Sequence, residues 1–260
     1  MINQSRREVT LFSLIVPCYN EGGNRGFQRL LATHSSFPDT EIIVVDGGST
    51  DATLDIARRY PVKLSQQHHP HRGARLNLGT QMATGDWIIW HHPRSFISRQ
   101  SLEGLQSLDP KIHPWGGWTH RFDAPGAGLA LTSWYSNRIR ADLKSIFYLD
   151  HCLFAHRSAV DSVGQDLFGN RPIFEDTIAS YRLKTLARGH RLSGFSETSS
   201  VRFNKNGFWT QFTKNQWAKM KFYLNVSASK INESYENDLQ LNGETDRAGE
   251  ASPTHTISSQ

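Results

Sequence analysis

Residues 41–53 combine an apolar, β-branched run with an acidic, glycine-rich turn, and this pairing constrains the fold more tightly than any other stretch. Ile42, Ile43, Val44 and Val45 show no apolar–polar alternation, which predicts a central parallel strand covered on both faces. Gly47 and Gly48 allow a sharp exit, and Ser49 or Thr50 can cap a following helix. Asp46 is left at the carboxyl end of the strand, where open α/β sheets bind their ligands. A carboxylate there accepts hydrogen bonds from a ribose or a base edge, so the segment suggests a nucleotide site. The plainer alternative is a residue that only starts an Asp-Gly turn.

Residues 11–16 form a second apolar run, closed by Pro17 and followed by Cys18, Tyr19, Asn20, Glu21, Gly22 and Gly23, which repeats the strand-then-loop pattern. Helices are expected over 24–36, 51–60 and 72–84, with strands over 62–64 and 87–90. The resulting β-α-β-α-β-α-β order predicts an α/β fold, a mostly parallel central sheet with helices on both faces. Further on, strands are read at 116–122 and 152–156, and helices at 129–143, 159–163, 175–188 and 209–224. The 175–188 helix has Ile178, Tyr181, Leu183 and Leu186 on its apolar side and Gly189 as its C-cap. Residues 1–230 are expected to form one domain, and 231–260, without periodicity, a disordered tail.

The formal charge of +5 is unevenly spread. Six acids against Arg247 make the tail about −5, leaving the body about +10. A basic body fits phosphate-bearing ligands, anionic lipid or nucleic acid. No helix-turn-helix, zinc-finger or RNP-like signature appears, so nucleic acid is not the expected partner. No apolar run approaches the ~20 residues of a membrane span. The absence of a signal-peptide pattern, with Cys18 and Cys152 as the two cysteines, gives a cytoplasmic expectation.

The ordered motifs are Ile15-Val16-Pro17-Cys18-Tyr19-Asn20-Glu21, Val45-Asp46-Gly47-Gly48-Ser49-Thr50-Asp51, Arg72-Gly73-Ala74-Arg75-Leu76-Asn77-Leu78-Gly79 and Ala83-Thr84-Gly85-Asp86. Tyr148-Leu149-Asp150-His151-Cys152 and Phe174-Glu175-Asp176 follow. Together, across residues 11–225, they resemble the family-2 glycosyltransferases, whose GT-A fold is a Rossmann-like nucleotide-diphospho-sugar transferase fold. Within that family the chain is most similar to the bacterial transferase-2 branch associated with radical-SAM and selenoprotein operons. The resemblance implies an enzyme that moves a sugar from a nucleotide-diphosphate donor to a hydroxyl acceptor, lipid-linked in related transferases.

It also implies roles for the matched positions. Pro17, Tyr19, Asn20, Glu21, Asp46 and Gly48 would hold the base and ribose, with Asp51 beside them or capping the next helix. Arg72 and Asn77 would line the donor site near the diphosphate, and Asp150 would meet the donor sugar. In the Glu175–Asp176 pair, Asp176 would be the catalytic base. An inverting transferase needs a carboxylate to take the acceptor proton as that oxygen attacks the anomeric carbon. At a helix start, the dipole is expected to keep Asp176 ionised and therefore a weak base.

One departure is pronounced. The family places a cation-binding aspartate after the fourth strand, where Mg²⁺ or Mn²⁺ neutralises the departing diphosphate. Here the segment reads Trp90-His91-His92-Pro93-Arg94, with His92 on a family histidine and Arg94 on the aspartate. Three readings compete: Arg94 supplies the positive charge itself, His91 and His92 recruit a softer metal, or the chain binds nucleotide-sugar without catalysis. His151 and Cys152 also replace smaller or amide residues of the branch and bring bulk towards the expected sugar.

Acceptor specificity is expected in residues 116–149 and the C-terminal helix. That helix interleaves Phe208, Trp209, Phe212, Trp217, Phe222 and Tyr223 with Lys214, Lys219 and Lys221. It suits either packing on the domain or peripheral contact with an anionic membrane. His68, His69 and His71 read as a solvated loop rather than a metal cluster.

Overall fold

Burial on both faces dictates the centre of the molecule. In the computed structural model, which describes residues 11–67, 71–169, 173–228 and 230–231, strand β1 (Phe12–Cys18) is buried along its whole length. Strand β2 (Thr40–Asp46) is buried from Ile42 onward and pairs with β1 in parallel, Cys18 beside Asp46, so that their carboxyl ends stop level. Strand β3 (Lys63–Gln66) adds beyond β2, and β4 (Trp87–Trp90) adds beyond β1, both in parallel.

The second half contributes β5 (Ser95–Ile97), β6 (Trp115–Phe122), β7 (Leu153–His156) and β8 (His190–Thr198). Among the described residues the sheet runs β3-β2-β1-β4-β7-β6-β8-β5. β6 pairs with β8 in parallel, whereas the β4–β7, β6–β7 and β5–β8 ladders are antiparallel.

Side chains alternate along each strand and feed the packing on the two faces of the sheet. Val16, Ile42 and Val44 face helices α1 (Arg25–His34) and α2 (Thr53–Ala57), meeting Phe27, Leu30, Leu31 and Ile56. Ile15, Ile43 and Val45 face the other way, towards Leu76 of α3 (Arg72–Met82) and Ala179 and Leu183 of α7 (Glu175–Lys184). α3 lies close on the sheet because Gly79 has no side chain; a Cβ there would sit 2.3 Å from Cγ2 of Ile15. Three tryptophans are buried with their indole N–H groups satisfied: Trp90 donates to Thr80 Oγ1 (2.8 Å), Trp115 to the Ala187 carbonyl (2.7 Å) and Trp118 to the Ser101 carbonyl (2.9 Å).

The remaining helices are α4 (Arg99–Glu103), α5 (Ala127–Trp134), α6 (Arg157–Val163), α8 (Val201–Asn206) and α9 (Phe208–Tyr223). α5 runs on as a π-helical stretch over Tyr135–Leu143.

β5, α4 and β8 depart from the sequence reading. β8 is a largely polar strand with one buried residue, Ser196, so it has no apolar period to detect. α7 ends at Lys184 rather than at Arg188, and Tyr181 and Leu186 point outward. Leu183 is buried as expected, joined by Ala179 and Ser180, small enough for close approach, and Ser180 Oγ both accepts from and donates to the Phe147 backbone. The expected tail, apart from Ile231, and His68 and His69 lie outside the described residues.

Candidate active site

The carboxyl ends of β1 and β2, which stop level, and of β4, which stops opposite Ile15, bring three loops to one rim. The first two are zipped together by their own polar groups. Asn20, in a left-handed conformation (φ 51°), receives a hydrogen bond from Thr50 N–H on Oδ1 (2.9 Å) and donates its own N–H to Ser49 Oγ (2.8 Å). Gly22 N–H donates to Asp51 Oδ2 (2.8 Å), and Glu21 N–H donates to Thr53 Oγ1 (2.7 Å). The third loop is tied in by Glu21, whose Oε2 accepts from Asn24 Nδ2 (2.9 Å) and from Arg94 Nε (3.2 Å). Pro17 is buried at the end of β1, and Tyr19 projects, 41% exposed.

Two carboxylates expected to meet a nucleotide are taken up by this scaffold. Asp46 is buried, with Oδ2 accepting from the N–H groups of Gly48 and Ser49 (both 2.9 Å) and Oδ1 from the Ser49 hydroxyl. Burial raises its pKa, but the Ser49 and Gly48 donors outweigh that and hold the carboxyl below its usual range. Asp51 accepts from Gly22, Thr53 N–H and the Thr53 hydroxyl. Asn77, expected near a diphosphate, is turned to the 166–168 loop instead. It donates to Asp166 Oδ1 (2.6 Å) and accepts from Phe168 N–H (3.0 Å), because its place on α3 faces that loop.

What the rim does gather is positive charge. His92 is half-buried, and burial together with the nearby charges of Arg72, Arg94 and Arg202 pushes its pKa well below the imidazole range, with Asp150 opposing them. Arg75, unassigned by sequence, lies beneath the turn; a Cβ on Gly47 would approach its Nη1 to 2.6 Å. Its period on α3 with Arg72 was the available signal.

Across from these lies an acidic pair. Arg72 Nε donates to Glu175 Oε1, so the fully buried Glu175 is ion-paired. Asp176 accepts from Leu149 N–H on Oδ2 (3.2 Å) and from Thr177 N–H on Oδ1 (2.7 Å). The expectation of a dipole-held, readily ionised Asp176 is corrected. Burial, reinforced by the Glu175 charge, pushes its pKa up to about 7, with Arg72 and the Leu149 N–H pulling the other way. Asp150 adjoins this pair, hydrogen-bonded to His151 Nδ1 (2.8 Å) and 3.7 Å from Arg140 Nη2. Burial raises its pKa, but His120, His151 and Arg140 hold it well below the usual range. The imidazoles are themselves driven towards neutrality by burial, so Arg140 is the lasting positive charge. The side chains of His151 and Cys152 are fully buried, so their bulk is absorbed by the core.

These residues do not fit a divalent cation. Mg²⁺ and Mn²⁺ favour oxygen donors, yet Glu21, Asp46 and Asp51 are committed to the scaffold and Arg94 stands where a carboxylate would be needed. His91 is buried, its Nδ1 against the His92 carbonyl (2.8 Å), and burial drives its pKa down to about 3. His92 Nδ1 accepts from Arg94 N–H (3.0 Å). The His91–His92 metal candidate is therefore corrected, and among the described residues no three His, Cys, Asp or Glu side chains gather as a metal-binding group.

Residues 13–162, more than half of the chain, match the family model described as glycosyl transferase family 2. A Mycobacterium bovis protein, PGL/p-HBAD biosynthesis glycosyltransferase, is 33% identical over 86 residues, which are 31% of this chain and 34% of that protein's length. Among solved structures, the mannosyltransferase PcManGT from Pyrobaculum calidifontis, in complex with GDP-Man and Mn²⁺, superposes with a TM-score of 0.58 at 18% identity, covering 87% of this chain and 68% of its own. Residues 1–349 of Staphylococcus aureus TarS in complex with UDP-GlcNAc give a TM-score of 0.56 at 18% identity, covering 87% and 72%. Likeness at these identities is one of fold, and that fold is GT-A.

Proposed function

Because the chain belongs to glycosyl transferase family 2, we propose that it moves a sugar from a nucleotide-diphosphate donor to a hydroxyl acceptor, with inversion and without a carboxylate-held metal. The nucleotide lies across the zipped loops, with the exposed Tyr19 ring as a stacking face and Asp46 and Asp51 shaping the turns. The diphosphate faces Arg72, Arg94 and Arg202. As the bond from the anomeric carbon to the phosphate oxygen breaks, negative charge grows on the diphosphate. A guanidinium, permanently protonated and able to bind two oxygens, meets it. The acceptor oxygen attacks from the opposite side, and its proton passes to Asp176. Burial makes Asp176 a stronger base than an ordinary carboxylate.

The observation that carries this reading is the cluster of arginines about His92 at the β4 exit, where the family's cation-binding carboxylate is missing. A calorimetric screen of UDP-, GDP- and dTDP-sugars, each with EDTA and with Mn²⁺, tests it. At least one donor is expected to bind equally under both conditions and to lose affinity in Arg94→Ala. Binding that requires Mn²⁺, or no binding of any donor, contradicts it.

The ordered motifs favour the bacterial transferase-2 branch within the family. Trp134 of α5 and Trp209 and Trp217 of α9 are exposed, the last two at 75% and 57%, and α9 also carries Lys214 and Lys221. This face suits peripheral contact with an anionic membrane from the cytoplasmic side. Among the described residues no helix is long and apolar enough to cross a membrane.

A further inference from the structure

Beyond the rim lies a second group of cations, one within the residues that match the family model and one outside them. Arg140 comes from the π-helical stretch, and Lys219 comes from α9, outside the matched residues. The Arg140 guanidinium lies over the Tyr148 ring, 3.4 Å from its centroid, donates to Ser136 Oγ and stands 3.7 Å from Asp150 Oδ1. Its Nε is buried without a hydrogen-bond partner. The Lys219 ammonium is 5.7 Å from the Tyr135 ring centroid and has no hydrogen bond or ion pair among the described residues. Burial, with the Arg140 charge acting in the same direction and Asp150 opposing it, brings its pKa down to about 8.

The local charges do not balance. The buried Arg140 has one carboxylate in ion-pair reach, Asp150, already engaged by His151 at 2.8 Å, and the half-buried Lys219 has none among the described residues. His120, also buried, offers both ring nitrogens without a hydrogen-bond partner, Nε2 lying 3.8 Å from Asp150 Oδ2. A charge withdrawn from water and left uncompensated is destabilising, whereas an incoming oxyanion would satisfy both cations. Tyr148 links this cluster to the base, since its hydroxyl feels the charges of both Arg140 and Asp176. Tyr148, under the Arg140 guanidinium, is followed by Leu149, whose N–H donates to Asp176 Oδ2 (3.2 Å), so the positive charge lies beside the base.

We infer that Arg140 and Lys219 form an anion subsite, and that the acceptor carries a phosphate group which they hold while its hydroxyl faces Asp176. The word acceptor rests on the sugar-transfer reading; the anion subsite does not. A phosphate suits the pair because a guanidinium binds it through two oxygens and an ammonium adds a point charge.

Calorimetric titration of the full chain with glycerol 3-phosphate, and with vesicles containing phosphatidic acid, tests the inference in the presence and absence of saturating UDP. Lys219→Met is expected to weaken binding of at least one probe by about tenfold or more, and Lys219→Arg to restore most of it. The probe that binds more tightly identifies a soluble or a lipid-borne phosphate. UDP affinity should be unchanged in Lys219→Met. Phosphate binding that is indifferent to Lys219→Met overturns the inference, and so does its loss together with UDP binding, since Lys219 would then serve the nucleotide or the fold. If UDP does not bind even the wild type but phosphate binding still depends on Lys219, the donor reading fails and the anion subsite stands.

Discussion

Asp176 occupies a helix start, where the dipole favours a charged carboxylate, but its environment works the other way. Burial and Glu175 disfavour the anion, so the folded pKa lies above the unfolded one. The native state therefore binds the extra proton between the usual carboxylate range and about pH 7, and stability falls as pH rises through that window. Asp176→Asn is expected to remove this decline, so urea midpoints of variant and wild type should diverge in the variant's favour above pH 7 and converge in acid. The same substitution should lower the transfer rate by about 10²–10⁴-fold. In the wild type, the acid limb of the pH–rate profile should fall near pH 7 rather than near 4. Residue identities here were legible in the sequence, but charge states and partners were not. Asp46, Asp51 and Asn77 have ligand-binding chemistry, and only the folded loops reveal that their polar atoms are taken up by neighbouring backbone and side-chain groups.

At the level of elements, the parallel half of the sheet was readable because burial on both faces leaves an unbroken β-branched run in β2 and a mostly apolar one in β1. In the second half β6 and β7 were readable too, whereas β5 and β8 were not. β8 is held by its ladder with β6 and by polar contacts such as Ser196 Oγ donating to the Asp150 carbonyl (2.7 Å), neither of which leaves an apolar period. The seating of α3 on β1 gives a second prediction. Gly79→Ala would drive a methyl into Ile15, and about 1–3 kcal/mol of destabilisation is expected from overpacking, measured by urea denaturation. A third concerns the zipped loops. Asp51→Ala removes the acceptor for Gly22 N–H and Thr53 N–H, and should weaken nucleotide binding in calorimetry while far-UV circular dichroism stays unchanged.

For the molecule as a whole, the exposed tryptophans of α9 and the basic body predict salt-sensitive sedimentation with anionic vesicles and none with neutral ones. Trp209→Ala combined with Trp217→Ala should abolish it. The central claim is that arginine, not a metal held by a carboxylate, supports the departing diphosphate. Its most direct test is donor turnover in excess EDTA with the nucleotide-sugar that binds best. The rate in EDTA is expected to equal that in Mn²⁺ and to fall by about 10²-fold or more in Arg94→Ala. Turnover abolished by EDTA and restored by Mn²⁺, with Arg94→Ala as active as the wild type, would contradict it.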